Sequence, residues 1–282
     1  MVENRPWLNL LTHLVLIVGV AIVVLPVYLA IIASTHAEND FFNGTVPLLP
    51  GPHLVDNYAV VLSQGVANSG APSLNLMLVN SLIMALGIAI AKIAISIISA
   101  YAIVYFRFPF RMTAFWLIFV TLMLPVEVRI LPTYKVVADL GMLNSYAGLT
   151  IPLIASATAT FLFRQFFLTV PEELMEAARV DGAGAMKFFR DILLPLSRTN
   201  IAALFVILFV YGWNQYLWPL LVTTDTRYYT VVMGIKRLAA TVDSDPRWNV
   251  VMAAVVLAAL PPVLVIILMQ RLFVKGLVET EK

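Results

Sequence analysis

Polar and apolar residues are segregated on a coarse scale along this 282-residue chain. Long uncharged runs alternate with short charged segments, and six runs predict membrane-spanning helices. They are Leu14–Ser34, Leu76–Val104, Thr113–Leu131, Tyr146–Phe163, Ile201–Val222 and Val250–Met269. The second is long and carries Lys92 near its middle, and the third holds Glu127 and Arg129 near its end. The charge-free and His-free stretch Leu14–Thr35 covers 22 residues. A signal peptide's apolar region has about 7–15 and a span needs about 20, so a retained first span is predicted.

The segment between the fourth and fifth runs has a different pattern. In EELMEAARVDGAGAMKFFRDILLP (172–195), Pro171 suits a first helical turn, and Glu172 and Glu173 complement the positive end of a helix dipole. Leu174, Ala177 and Ala178 fall on one face. Asp181-Gly182 predicts the end of that helix, because glycine readily takes a left-handed cap. A second short helix is predicted through Met186, Phe189, Ile192 and Leu193, with Lys187, Arg190 and Asp191 on its other side and Pro195 as its stop. Two readings fit this pattern: an amphipathic helix lying on lipid, or a surface of small residues against which another protein's backbone packs closely.

Composition supports a membrane protein. The chain is 61% hydrophobic and 12% charged, against about 25% charged in soluble globular proteins. It has no cysteine and three histidines, His13, His36 and His53, all near one end. Disulfides and thiolate sites are excluded, and no metal site is expected. The net charge of +2 gives no basis for a nucleic-acid partner. No internal repeat is evident, so residues 1–282 are expected to form one all-α, polytopic transmembrane domain.

Basic residues orient the spans. With cytoplasmic termini, the cytoplasmic set is Arg5, Arg107, Arg111, Arg164, Arg179, Lys187, Arg190, Arg198, Arg271, Lys275 and Lys282; the outer set is Arg129, Lys135, Arg227, Lys236, Arg237 and Arg247. The larger cytoplasmic set favours this orientation. It makes about 168–199 a cytoplasmic loop, and about 35–75 and 223–249 outer loops. The outer loops read as irregular, water-exposed segments.

Charges inside spans cost about 2.5–3.5 kcal/mol at a helix centre on insertion scales, so they point to function. Lys92 fits a cation lining a water-filled cavity or a partner inside the bundle. Arg129 fits a phosphate contact, since its fork of donors matches phosphate oxygens, or an ion pair with Glu127. Asn214, Gln215 and Tyr216 could line a polyol site. Trp213 and Trp218, which bracket them, fit an interfacial belt. No Gly-x-x-x-x-Gly-Lys-Ser/Thr loop, His-Glu-x-x-His or Gly-x-Ser-x-Gly occurs, so the residues describe a conduit rather than an enzyme.

Glu176-Ala177-Ala178, then three residues, Gly182, then nine, Ile192-x-Leu194-Pro195 resembles the EAA loop of ABC importer permeases. Asn80-Ser81-Leu82, Ser99-Ala100-Tyr101-Ala102 with RFPFR (107–111), Trp213-Asn214 and Trp218-Pro219 resemble the carbohydrate-uptake branch of that family. MLPVEVRILPTY (123–134), SYAGLTIPLIASATATFLFRQFF (145–167) and GWNQYLWPLL (212–221) resemble its sn-glycerol-3-phosphate permeases. The resemblance implies a type I ABC importer permease fold in a bacterial inner membrane. It implies that Glu176, Ala177, Ala178, Asp181, Gly182, Ile192, Leu194 and Pro195 couple to an ATPase. The implied partners are a second homologous permease, an ATP-binding subunit dimer carrying ATP and Mg, and a periplasmic substrate-binding protein; this chain itself is expected to bind no cofactor. Transport of sn-glycerol-3-phosphate, or a glycerophosphodiester, by alternating access is the implied function. A neutral sugar or oligosaccharide importer is the alternative within the class, and an ion-coupled secondary transporter the alternative outside it.

Overall fold

The computed structural model describes residues 6–41, 47–63, 72–121, 126–240 and 247–279. Among them the order is α1 (Pro6–Ala33), α2 (Leu54–Ser63), α3 (Leu74–Tyr105), α4 (Arg111–Val120), α5 (Val126–Asp139), α6 (Tyr146–Thr150), α7 (Ala157–Thr169), α8 (Glu172–Val180), α9 (Ala185–Phe188), α10 (Leu194–Leu196), α11 (Arg198–Trp213), α12 (Leu217–Val222), α13 (Val231–Ala239) and α14 (Trp248–Glu279). No strand occurs among the described residues, as an all-α fold requires.

Among the described residues, three stretches are unbroken helices long and apolar enough to span a membrane: Trp7–Ala33, Leu74–Tyr105 and Trp248–Gln270. They cover the first, second and sixth expected spans. Of the other expected runs, the fourth and fifth are broken among the described residues. Tyr146–Leu153 and Ala157–Phe167 meet at 46°, and Ala185–Leu196 and Arg198–Trp213 meet at 70°. The third run includes parts of α4 and α5, and residues 122–125 lie outside the described residues. Here α5 continues through Pro132 to Asp139, well past the expected end at Leu131. The fifth run stops at Trp213 and resumes at Leu217.

Uncharged residues make these breaks, which is why hydropathy does not register them. Ser156 Oγ accepts the Ala159 N–H at 3.2 Å and starts α7 afresh. Ser145 Oγ likewise accepts the Gly148 N–H at the head of α6. The expected irregular loops also contain helices: α2 buries Asn57 and Val61 one turn apart, and α13 buries Val231 and Leu238 while exposing Lys236 and Arg237.

The chain divides into two compact units. One comprises residues 1–76 and 234–260. Its polar centre is Asn57, whose Nδ2 donates to Ser34 O at 2.9 Å and His36 O at 2.8 Å, and whose Oδ1 accepts from Asn249 Nδ2 at 2.8 Å. Thr35 Oγ1 accepts the Gly51 N–H. The two Nδ2 bonds satisfy carbonyls in the turn that follows α1. Along α1 itself Val15, Ile17 and Val23 are exposed, the surface a lipid-facing span presents.

The other unit comprises residues 77–233 and 261–282. Its core joins Met84 and Ile88 of α3 with Val137, Leu149, Trp218 and Val222. Small residues let α11 approach α3. A Cβ added to Gly212 would lie 2.9 Å from Ala85 Cα, so only glycine fits.

Candidate coupling segment and transport pathway

The segment 172–195 begins as expected. α8 runs from Glu172 to Val180 behind Pro171, with both glutamates in its first turn. Gly182 has φ +73°. Its N–H donates to Arg179 O at 3.0 Å, and the Ala183 N–H donates to Ala178 O at 2.8 Å. This paired closure is a Schellman motif, and the left-handed residue within it favours glycine. Glu176, Ala177, Asp181 and Gly182 are exposed, whereas Ala178 is buried.

The second half differs from expectation in two ways. Phe188 and Leu193 are buried, while Met186 is 73% exposed. The inward face is therefore Phe188, Phe189, Ile192 and Leu193. Pro195 does not stop the helix. Phe189–Leu193 forms a π turn and α10 follows, with Pro195 inside it. The wider turn before the proline gives its ring room beside the preceding carbonyls. The direction changes at Ser197, whose hydroxyl donates to Leu193 O at 2.7 Å. Outside the spans, a hydrogen bond from Arg190 holds the Asp191 carboxyl below the usual carboxylate range.

The far end of α3 holds this segment. The Tyr101 hydroxyl donates to Ala185 O at 2.7 Å. The Tyr101 ring lies 4.9 Å from Phe189, and the Tyr105 ring 5.4 Å from Phe188, between centroids. A cavity of about 260 Å³ opens here between Tyr101, Tyr105, Arg107, Met175, Ala178 and Ala183. Sequence reasoning noted Tyr101 only within a motif and missed Tyr105, Phe188 and Phe189 as anchors. The available signal was the spacing of Tyr101 and Tyr105, four apart at the end of an apolar helix.

At the other end of this unit, a cavity of about 220 Å³ is lined by Arg129, Ile130, Thr133, Pro152, Leu153, Gln215, Leu217 and Trp218. Arg129 and Gln215, chosen from sequence, share it. Asn214 and Tyr216 do not line it: Asn214 ends α11, and both are exposed. Lys92 is buried, with 7% of its surface exposed, and does not snorkel. Its Nζ lies 4.0 Å from the centroid of the Tyr211 ring, one turn before Gln215. Gln215 Nε2 donates to Tyr211 O at 3.1 Å. Gln215 thereby joins the Lys92–Tyr211 contact to the cavity that Arg129 lines. Four residues from three helices and one interhelical turn thus form a single basic, amide-bearing region. The Glu127 side chain is outside the described residues, so its pairing with Arg129 is too.

The interfacial-belt reading of the tryptophans is corrected. Trp213 is 2% exposed and Trp218 3%. The Trp218 Nε1–H donates to Gly148 O at 3.1 Å, so the indole enters the core with its polar edge satisfied. Asn80 and Ser81 of the quoted motif also have a structural task. Asn80 Nδ2 donates to Arg227 O and Tyr229 O at 2.8 and 2.9 Å, and its Oδ1 accepts from the Tyr146 hydroxyl at 2.8 Å. Ser81 Oγ accepts the Val231 N–H at 2.8 Å. Together they fix the segment between α12 and α13 to the start of α3.

Long apolar helices joined to a capped helix–turn–helix segment are the features of a membrane transport component. Residues 92–279 match the family described as binding-protein-dependent transport system inner membrane component, and the chain belongs to that family. Its relatives include the sn-glycerol-3-phosphate transport system permease protein UgpE of Agrobacterium fabrum, 61% identical over the full length of both chains. Proteins of the same name from Rhizobium meliloti and Yersinia pestis bv. Antiqua are 59% and 57% identical, again over both full lengths. In fold the chain is similar to a bacterial ABC transporter involved in the import of the acidic polysaccharide alginate. That likeness has a TM-score of 0.83 at 19% identity and covers 96% of this chain and 98% of the other. It establishes the ABC importer permease fold.

Proposed function

We propose that this chain is a permease subunit of an ATP-driven importer of sn-glycerol-3-phosphate, working by alternating access. The observation that carries the reading is the 57–61% identity, end to end, with permeases named for that substrate. The cavity at Arg129 supports it. Its volume of about 220 Å³ lies below the roughly 300–1,000 Å³ typical of drug-sized ligands, as a small phosphorylated polyol requires. Arg129 would meet phosphate oxygens through its fork of donors, with Thr133 and Gln215 available to hydroxyls. Lys92 would add positive potential behind Tyr211 and lower the cost of bringing an anion into a poorly hydrated space.

In this reading ATP hydrolysis falls to a partner. The exposed face of Glu176, Ala177, Asp181 and Gly182 would dock on an ATP-binding subunit dimer carrying ATP and Mg, with Ile192, Leu194 and Pro195 relaying its motion. The aromatic anchorage of the segment on α3 supports a lever, since a docking element must be rigidly joined to the helices it moves. A second homologous permease and a periplasmic substrate-binding protein would complete the complex, with both termini of this chain in the cytoplasm.

The test is uptake in proteoliposomes holding the purified complex. Labelled sn-glycerol-3-phosphate should enter only with internal ATP and the binding protein. Preferential uptake of a neutral sugar would move the chain to the alternative substrate class. Uptake by this chain alone under an ion gradient would end the ABC reading.

A further inference from the structure

We propose that the junction between the coupling segment and α11 is a binding site for an anionic phospholipid. An open groove of about 670 Å³ lies there, lined by Arg190, Pro195, Arg198, Ile201, Phe205 and Met269 among others. Its wall changes character along α11. It begins at the Arg198 guanidinium and turns apolar at Ile201 and Phe205, the latter about 10 Å further on at the helical rise. Met269 of α14 adds to the apolar lining. A cation at one end of an apolar trough, on a helix leaving the coupling segment for the membrane, matches an amphiphile with a phosphate head and an acyl tail.

Charge decides which amphiphile. Arg190 is engaged by Asp191, with Nε 2.7 Å from Oδ1. Arg198 makes no hydrogen bond or ion pair among the described residues. Lys187 lies close enough for its charge to be felt at Asp191. Two arginines therefore line the groove, only one of them is offset by a carboxylate, and the excess is positive. A zwitterionic headgroup leaves that excess uncompensated; an anionic one, such as phosphatidylglycerol, offsets part of it. Leu194 and Pro195 also line the groove, beside the 70° bend. A lipid bound here touches the hinge of the coupling segment, so its occupancy bears on coupling as well as anchorage.

The experiment uses the full chain, purified with the subunits it carries, from nanodiscs of equal phosphatidylglycerol and phosphatidylcholine. Native mass spectrometry then counts retained lipid. Phosphatidylglycerol should be retained over phosphatidylcholine. Arg198→Gln should lower its retention roughly fivefold, the effect of one basic residue near an anionic surface, and Arg198→Lys should keep most of it. Met269→Trp fills the apolar part without touching the charges and should also lower retention, which keeps the proposal testable if Arg198→Gln fails to insert. Excess inorganic phosphate should leave the lipid bound. Equal retention of both lipids, unchanged retention in Arg198→Gln, or displacement by inorganic phosphate would each overturn the proposal. So would efficient crosslinking of a cysteine at Ile201 to another protein subunit, which would make the groove a subunit interface. These readouts do not depend on which substrate is transported.

Discussion

Lys92 sets its ammonium 4.0 Å from the centre of the Tyr211 ring, in a region that shares Gln215 with the Arg129 cavity. A desolvated cation–π contact is worth about 2 kcal/mol, so the lysine has a structural partner as well as a long-range charge. The two roles separate experimentally. Lys92→Met removes both, and Tyr211→Leu removes only the ring. Uptake should fall in Lys92→Met with assembly intact, and remain near normal in Tyr211→Phe. If Tyr211→Leu reproduces the full defect, the ring contact is what matters. If it is nearly normal, the charge acts on the substrate.

Arg129 lines the cavity with Thr133 and Gln215. Losing a hydrogen bond to a charged group costs about 1.5–3 kcal/mol. Arg129→Gln should therefore raise the substrate concentration for half-maximal uptake about ten- to hundredfold, with little change in assembly. Exchanging residues 127 and 129 checks the alternative. Rescue by the exchange would make Arg129 a partner of Glu127 rather than of phosphate.

Gly182 holds φ +73° with open space where a Cβ would project. Any penalty on substitution is therefore backbone strain, about 1–2 kcal/mol for an ordinary residue. Gly182→Val should insert normally but lose substrate-stimulated ATP hydrolysis in the assembled complex. Gly182→Asn, which tolerates the left-handed region, should keep most of it. Equal activity in both variants would show that the turn is not needed for coupling.

Gly212 meets α3 at Ala85, where the nearest atom to an added Cβ is the Ala85 Cα at 2.9 Å. Overpacking of this kind costs about 1–3 kcal/mol. Gly212→Val should lower the thermal midpoint of the purified protein. Ala85→Gly should not rescue it, because the obstructing atom belongs to the backbone. Rescue would mean the helices are less closely held than this contact requires.

Orientation is open to thiol labelling in this cysteine-free chain. Ser63 is exposed, but Ser197 is buried and bonded to Leu193 O, so Val180, 88% exposed, is the better second site. An impermeant reagent on intact spheroplasts should label Ser63→Cys and reach Val180→Cys only after permeabilisation. The reverse pattern would invert the orientation inferred from the basic residues.

The sequence by itself determined the class of molecule, because hydropathy and residue identity are local quantities. Too few charges exist to clothe a soluble surface, the apolar runs match a bilayer's thickness, and the Asp181-Gly182 pair marks a helix end through backbone preference alone. What hydropathy could not register is where apolar runs break: the serine cap at Ser156 and the turn between Trp213 and Leu217 leave the run uncharged. Partnership was equally hidden. Trp218 looked like a belt residue until Gly148 O, far away in the chain, satisfied its N–H, and Tyr101 became an anchor only when Ala185 O came within reach. The sequence marks Lys92 by its depth in an apolar run, but its position over Tyr211 depends on the close approach of α3 and α11 at Ala85 and Gly212. Such contacts are decided by packing between distant segments, which no periodicity along one segment encodes.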